Sequence, residues 1–363
     1  MSRPRVVLLR GHNANPWDLR PWELLADDYD ISVAVTGSNR FDLEDLRLPV
    51  LRVASVRDRA PRGRLGDLAA LAAGDRYLGL DKALAGADVV HSAELGVWFS
   101  GQPARLEERL DFRLVLTVWE TIPFRETFRA FRGRRDRRDA LAHADLFLAA
   151  TERARTCLLL EGVPAERAAV SSPGVDVERF ASAGRAPAEE HLVVSPGRLV
   201  WEKGHYDVLR AVAALERRPR VLFVGAGPER ERLLRYAREL GLADRVEIRA
   251  VPYAEMPQVF AQASCVVLAS LPVPLWEEQF GMVLAEAMAA GAPILASTSG
   301  AIPEVLGGQA PLFAPGDWPA LARLLEEGPL AGDPGARVEY DVSAYTLDAA
   351  AARLRAAYER VLA

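Results

Sequence analysis

The sequence predicts an α/β protein made of two doubly wound parallel-sheet domains. Three observations carry that expectation. Short Val/Leu-rich runs alternate with longer amphipathic segments, and the alternation falls into two series. The chain, at 363 residues, is also too long for one ordinary core. Continuous apolar runs joined by helical stretches are the pattern of parallel strands covered on both faces.

In the first series "RVVLLRG", "ISVAVTG", "DVVHSAE" and "FRLVLTVWE" read as buried strands that end at polar or glycine residues. "DLFLAAT" follows the helical stretch "RDRRDALAHA". The second series is "HLVVSPGRL", "RVLFVGAG", "RVEIRAV", "CVVLAS" and "APILAST", separated by segments such as "PERERLLRYARELGL". Between the series lies "SSPGVDVERFASAGRAPAEEH", rich in Pro, Gly, Ser and charge and without an apolar period. The last segment, "TLDAAAARLRAAYERVLA", is a strong helix with no strand after it. It is expected to return to the first domain. The resulting division is 1–173 completed by 345–363, and 174–344.

Composition narrows the function classes. Half the residues are hydrophobic, 26% are charged and the net charge is -5. Such a chain has no global field for nucleic acid. The start, "MSRPRVVLLRGHNANPWD", lacks a long apolar core with a cleavage site, and no 18-residue apolar run follows. A cytoplasmic protein is expected. Cys157 and Cys265 lie far apart and outside metal-type spacing, so reduced, packed thiols are expected. The basic residues are 43 Arg and two Lys, Lys82 and Lys203.

Ligands of open α/β sheets bind at the carboxyl ends of strands. After "HLVVS" comes "PGRLVWEKGHYDVL", with Arg198 and Lys203 five residues apart around a turn. A planar fork and a point charge together suit a diphosphate, although two surface cations would give the same letters. "GAGPERERL" has glycines at 225 and 227 without the full dinucleotide spacing, and Pro228 fits a first helical position. After "CVVLAS" comes "LPVPLWEEQFGMVLAEAMAAG". Here Gly281 allows close backbone approach, and the N–H groups of Gly281, Met282 and Val283 open a helix toward an anion. Glu278 and Glu286 would repel a phosphate, so they suit sugar hydroxyls. A capping acid beside a surface acid is the plainer alternative.

These stretches together, "GRLVWEKGHYDVL", "VGAGPERERL", "EEQFGMVLAEAMAAGAPILAS" and "GAIPEVL", with "SSPGVDVERF" before them, resemble the donor-binding half of a retaining glycosyltransferase of the GT-B fold, family four. The resemblance covers roughly residues 140 to 310. It implies two Rossmann-like domains facing across a cleft, the first binding an acceptor and the second a UDP-, GDP- or ADP-linked sugar. It further implies that Arg198 and Lys203 hold the diphosphate and stabilise it as it leaves. Glu278 would contact the donor hexose and Glu286 the ribose. Phe280, Gly281, Met282 and Val283 would supply backbone amides, and Val251 would border the base. With cations in that role no metal or other cofactor is required.

The first half departs from the family. Its opening loop, "RGHNANPWDLRPWELL", lacks the usual Gly-Gly pair but offers Asn15 as a polar wall. Where the family commonly has His in a Thr-Val-His setting, this sequence has Trp119 followed by Glu120. Either Glu120 takes over the handling of the acceptor, or this wall only shapes its pocket. His91 either lines the cleft or is structural. "FRETFRAFRGRRDRRDALAHAD" carries seven Arg between 125 and 138, with Phe124, Phe128 and Phe131 at helical spacing. It reads as a solvated helix with its Phe residues packed inward, or as a weak peripheral contact with an anionic membrane that bears a lipid-linked acceptor. The acceptor itself could be a small molecule, a glycan or a lipid-linked group. A non-catalytic scaffold and a sugar-nucleotide epimerase of the same fold are the alternatives to hexosyl transfer.

Overall fold

The structure, a computed structural model, describes residues 3–61, 63, 66, 68, 72, 74–125, 131–184 and 189–363. The chain divides into two units, Met1–Gly174 with Leu347–Ala363, and Val175–Thr346.

The first unit holds a seven-stranded sheet. Its strands are β1 (Arg5–Leu9), β2 (Asp30–Val35), β3 (Val50–Arg52), β4 (Val89–Ala93), β5 (Arg113–Val118), β6 (Leu146–Ala149) and β7 (Ala168–Val170). They run in the order β3-β2-β1-β4-β5-β6-β7, all pairs parallel. Strand side chains alternate between two cores. Val7 and Leu9 pack with Val90, Leu114 and Phe147 on one face. Val6 and Leu8 pack with Val33, Val89 and Val115 on the other. That second core also contains Ala351, Leu354, Ala357 and Tyr358 of the C-terminal helix Leu347–Leu362.

The second unit holds β8 (Leu192–Pro196), β9 (Arg220–Val224), β10 (Val246–Arg249), β11 (Cys265–Leu268), β12 (Ile294–Ser297) and β13 (Leu312–Phe313). The order is β10-β9-β8-β11-β12-β13, again with parallel pairs. Both sheets therefore reverse direction of growth once, between β1 and β4 and between β8 and β11. Crevices at the carboxyl ends of such strands are where doubly wound sheets bind ligands.

Three strands escape the apolar-run reading: β3, β7 and β13. Each is two or three residues long and lies at a sheet edge, where one side is unpaired and a continuous hydrophobic run is not needed. Pro228 is not at the first helical position. The helix is Arg230–Glu239, and Pro228 stands in the turn before its cap residue, Glu229. The inward-packed phenylalanines are also corrected. Phe131, at the start of the helix Phe131–His143, is 83% exposed, and Phe124 is 58% exposed with the Arg137 guanidinium 5.4 Å from its ring centre. Phe128, with Glu126 and Arg129, lies outside the described residues. The face turned inward carries Asp136 and Asp139 instead, both bonded to Arg105 at 2.8 and 2.9 Å. Among the described residues no helix is long and apolar enough to cross a membrane. Cys157 and Cys265 are buried free thiols.

Candidate active site

The second unit builds its site at the β8/β11 switch from four loops. The loop after β8 runs through a 3-10 turn, Trp201–Lys203, into the helix His205–Ala213. Its neighbours clip to it through the backbone. Leu199 N–H donates to Ala226 O at 2.9 Å, and Leu271 N–H donates to Glu202 O at 2.8 Å. The loop after β12 joins through Ala301 N–H, which donates to Glu278 O at 2.8 Å. The glycines of "GAG" serve this packing. A Cβ on Gly225 would stand 2.0 Å from Gly197 O, and one on Gly227 2.3 Å from Leu199 O. This glycine-rich turn lets two backbones touch, a role that needs no dinucleotide.

Lys203 and Glu278 come together. The ammonium donates to Glu278 Oε2 at 2.7 Å and sits 4.8 Å from the centre of the Trp276 ring. The same oxygen accepts from Ser270 Oγ at 2.7 Å. Glu278 is buried, so its charge is tolerable only with these partners. Arg198 lies apart from this pair, its side chain 64% exposed and 3.9 Å from Glu202. The guanidinium is thus free to turn toward an incoming anion, while Lys203 is anchored.

Gly281 has φ +80° and opens the helix Met282–Ala289, which no side chain caps. Left-handed backbone is costly for any residue with a Cβ. Met282 and Val283 are half-buried at the helix tip, whereas the Phe280 side chain is buried and packs edge-on against Tyr345, 5.5 Å between ring centres. Glu286 is buried one turn further on and accepts a hydrogen bond from Tyr253 Oη at 2.7 Å. Tyr253 belongs to the 3-10 turn two residues beyond half-buried Val251. Burial and the Glu286 charge push the Tyr253 phenol up, which keeps it a donor to the carboxylate.

His205 was not singled out by sequence reasoning, yet it fixes the cation loop. It is buried, its Nε2 lies 3.0 Å from Arg198 O and its Nδ1 3.0 Å from Ser195 Oγ. A carbonyl only accepts, so Nε2 carries the proton and Nδ1 accepts from Ser195. Burial pulls its pKa down to about 4 and holds the ring neutral. The signal was its place, directly after Lys203-Gly204 at a helix start.

In the first unit two of the residues offered for the acceptor side are bonded within the unit. His91 is fully buried. Its Nδ1 bonds Tyr358 Oη at 2.7 Å and its Nε2 bonds Thr117 Oγ1 at 2.8 Å. Burial drives its pKa well below the usual value, so it is a neutral link between β4, β5 and the C-terminal helix. The Asn15 side chain caps the helix Pro16–Glu23, accepting from Trp17 N–H at 3.1 Å. Glu120 is buried, and both its oxygens are used within the unit. One accepts the N–H groups of Thr121 and Ile122, at 3.1 and 3.0 Å, and the other accepts from Arg125 at 2.5 Å. Trp119 is half-buried, and its N–H donates to Glu94 Oε1 at 3.0 Å.

Glu94 is a residue the sequence did not announce. It directly follows β4 in left-handed backbone, φ 67°, and burial together with the Glu120 charge pushes its carboxyl up to about 7.

Comparison with known proteins agrees with this architecture. The family model described as "Glycosyltransferase Family 4" matches residues 22–179, and that described as "Glycosyl transferases group 1" matches residues 176–328. The D-inositol 3-phosphate glycosyltransferase of Nocardia farcinica is 35% identical over 182 residues, 45% of this chain and 39% of that protein. The GDP-mannose-dependent alpha-(1-6)-phosphatidylinositol monomannoside mannosyltransferase of Mycolicibacterium smegmatis is 36% identical over 153 residues, 37% of this chain and 39% of that protein. The matches thus span well under half the length of these curated relatives. The fold is shared over nearly the whole chain with Anabaena HepE, solved in complex with UDP (TM-score 0.77, 19% identity, 98% of this chain and 100% of that one). It is shared equally with a sucrose-phosphate synthase from Thermosynechococcus elongatus (TM-score 0.73, 20% identity, 99% of each chain). With two adjoining family matches, two parallel doubly wound sheets and this structural likeness, the chain belongs to glycosyltransferase family 4 and has the GT-B fold.

Proposed function

We propose that the protein transfers a hexose from a nucleotide-diphosphate sugar to an acceptor hydroxyl with retention of anomeric configuration. One observation carries the reading: Lys203 and Glu278 meet at the β8/β11 switch, beside a helix tip opened by Gly281. A diphosphate seated there would take its charge partners from Lys203, mobile Arg198 and the helix amides. Glu278, relieved of part of the Lys203 charge, would accept hydroxyls of the donor hexose. Glu286 would hold the ribose, with Tyr253 keeping its second oxygen aligned, and Val251 would border the base.

The reaction breaks the bond between the anomeric carbon and the diphosphate oxygen, and that bonding pair leaves with the diphosphate. Positive character gathers on the sugar ring and negative charge on the leaving group. Anchored Lys203, Arg198 and a helix N-terminus would stabilise the second more in the transition state than in the bound donor. The acceptor oxygen then bonds the anomeric carbon on the same face and gives its proton to an oxygen of the departing diphosphate. The relatives' names speak of GDP-mannose in one protein and of a UDP complex in another. These names support a nucleoside diphosphate as the ligand of this site, and the base is left to experiment.

The test is a thermal-shift series with UDP, GDP, ADP and TDP, followed by proton NMR of the product formed from the preferred donor. A preference for one diphosphate and a product with the donor's anomeric configuration are expected. No stabilisation by any diphosphate would favour a non-catalytic scaffold. An inverted product would remove the retaining mechanism.

A further inference from the structure

We infer that Trp201 is a stacking platform for one saccharide ring of a glycan chain, set beside the proposed donor seat of the second unit. The inference names a glycan as the substrate class for the transfer proposed above and rests on that reading.

The chain has seven tryptophans, and among the described residues Trp201 is the most exposed of them, at 53%. Its ring is held in place from beneath. It leans on Tyr206, with 5.3 Å between ring centres and 42° between planes, and Tyr206 meets Tyr236 at 5.6 Å. The lower rings are themselves tied down. Tyr206 Oη donates to Glu229 Oε2 at 2.7 Å, and Arg210 Nε donates to Tyr236 Oη at 3.0 Å. Burial and the bond to Glu229 push the Tyr206 phenol up to about 12, so it stays a donor. A ring fixed before binding loses little side-chain entropy when a ligand covers it.

The backbone sets where the platform stands. Trp201 opens the 3-10 turn that ends at Lys203, and Gly204 N–H donates back to Trp201 O at 3.1 Å. The next carbonyl, Glu202 O, is the one held by Leu271 of the loop after β11. A ligand on the indole therefore lies in a fixed relation to Lys203 and to the diphosphate proposed there. The negative face of an indole attracts the polarised C–H groups on the flat side of a pyranose. Half-buried Glu202, paired only loosely with Arg198 at 3.9 Å, adds a carboxylate that can accept sugar hydroxyls. An open ring face admits a running chain, where an enclosed pocket would admit a single sugar. A nucleobase is the other flat ring at hand, but Val251, proposed to border it, follows β10, and β9 lies between that strand and β8. A protein partner fits less well. Arg198, Glu202 and Lys203 surround Trp201 in the loop, and interface cores are depleted of charge.

The experiment titrates the full chain calorimetrically with maltohexaose, cellohexaose and a mannohexaose, beside glucose and mannose as single-ring controls. At least one of the chains should bind at least tenfold tighter than its monosaccharide. Trp201→Ala should weaken that binding at least tenfold, and Trp201→Phe, which keeps a flat ring, should restore most of it. Both variants should keep the wild-type thermal shift with nucleoside diphosphate. No preference for any of the chains overturns the inference, and so does wild-type affinity in Trp201→Ala. A nucleoside-diphosphate shift lost with the indole would make Trp201 a platform for the base, which also overturns it. So does a dimer in light scattering that Trp201→Ala dissociates, because a second copy would then cover the ring. Failure of the donor reading shows separately, as the absence of any diphosphate shift in the wild-type protein.

Discussion

The two switch points are built alike and lined differently. In the second unit the crevice between β8 and β11 buries two acids, Glu278 and Glu286, each held by a named donor. In the first unit the crevice between β1 and β4 is lined by arginines, and its acids are tied up in internal bonds. Burial acts in the same sense in both, disfavouring the charged form: it lowers the His205 pKa in one unit and raises that of Glu94 in the other. The difference teaches that the doubly wound sheet fixes where a ligand goes, while loop chemistry decides which ligand it is.

The comparison can be broken first at Lys203. Lys203→Ala should lower turnover at least about 100-fold, the scale for losing one charged transition-state contact. Removing the partner of a buried carboxylate can also cost about 3–5 kcal/mol of stability. Stability is therefore measured in parallel, and turnover is compared at a temperature at which Lys203→Ala remains folded. If the folded variant turns over normally, Lys203 leaves the mechanism.

Next comes His205. Its folded pKa lies below the unfolded value, so between pH 6.5 and pH 4 the unfolded state binds more protons and stability falls as pH drops. The loss should reach about 3 kcal/mol across that window. Urea unfolding of His205→Gln should show it largely abolished, with no change above pH 7. An unaltered acid slope would mean that the ring does not pin the Arg198 carbonyl.

The smallest effect sharpens the contrast from the other side. The Glu94 carboxyl has a raised folded pKa, so its ionisation opposes folding, and stability declines as pH climbs from 4.5 through about 7. Glu94 is half-buried, which reduces the expected magnitude to about 1–2 kcal/mol. Glu94→Gln should therefore stabilise the protein at pH 8 and leave it unchanged at pH 5. Equal effects at both pH values would contradict the assignment.

How much was legible follows the same division. The long central strands could be read because burial on both faces demands unbroken apolar runs such as "RVVLL" and "CVVL". Edge strands β3, β7 and β13 make no such demand. In the second unit the acids and cations arise from two contiguous loops, so their spacing was visible. Their anchors, Ser270, Tyr253 and His205, were not, because a hydrogen-bond partner is set by three-dimensional packing. The sequence left the roles of His91 and Asn15 open, because a polar residue at a strand end or loop looks the same whether it meets substrate or scaffold. The arginine lining of the β1/β4 crevice was invisible for a related reason. Arg57, Arg76, Arg105 and Arg135 come from separate segments, in a chain where 43 arginines make any one of them unremarked.

The central claim is that the β8/β11 crevice seats a nucleoside diphosphate on cations and a helix tip, with acids on the hydroxyls. A crystal structure with the preferred nucleoside diphosphate tests this most directly. The account predicts phosphate oxygens within hydrogen-bond reach of Arg198, Lys203 and the Met282–Val283 amides, and ribose hydroxyls on Glu286. A nucleotide bound elsewhere in the chain, with the Lys203–Glu278 pair untouched, would contradict it.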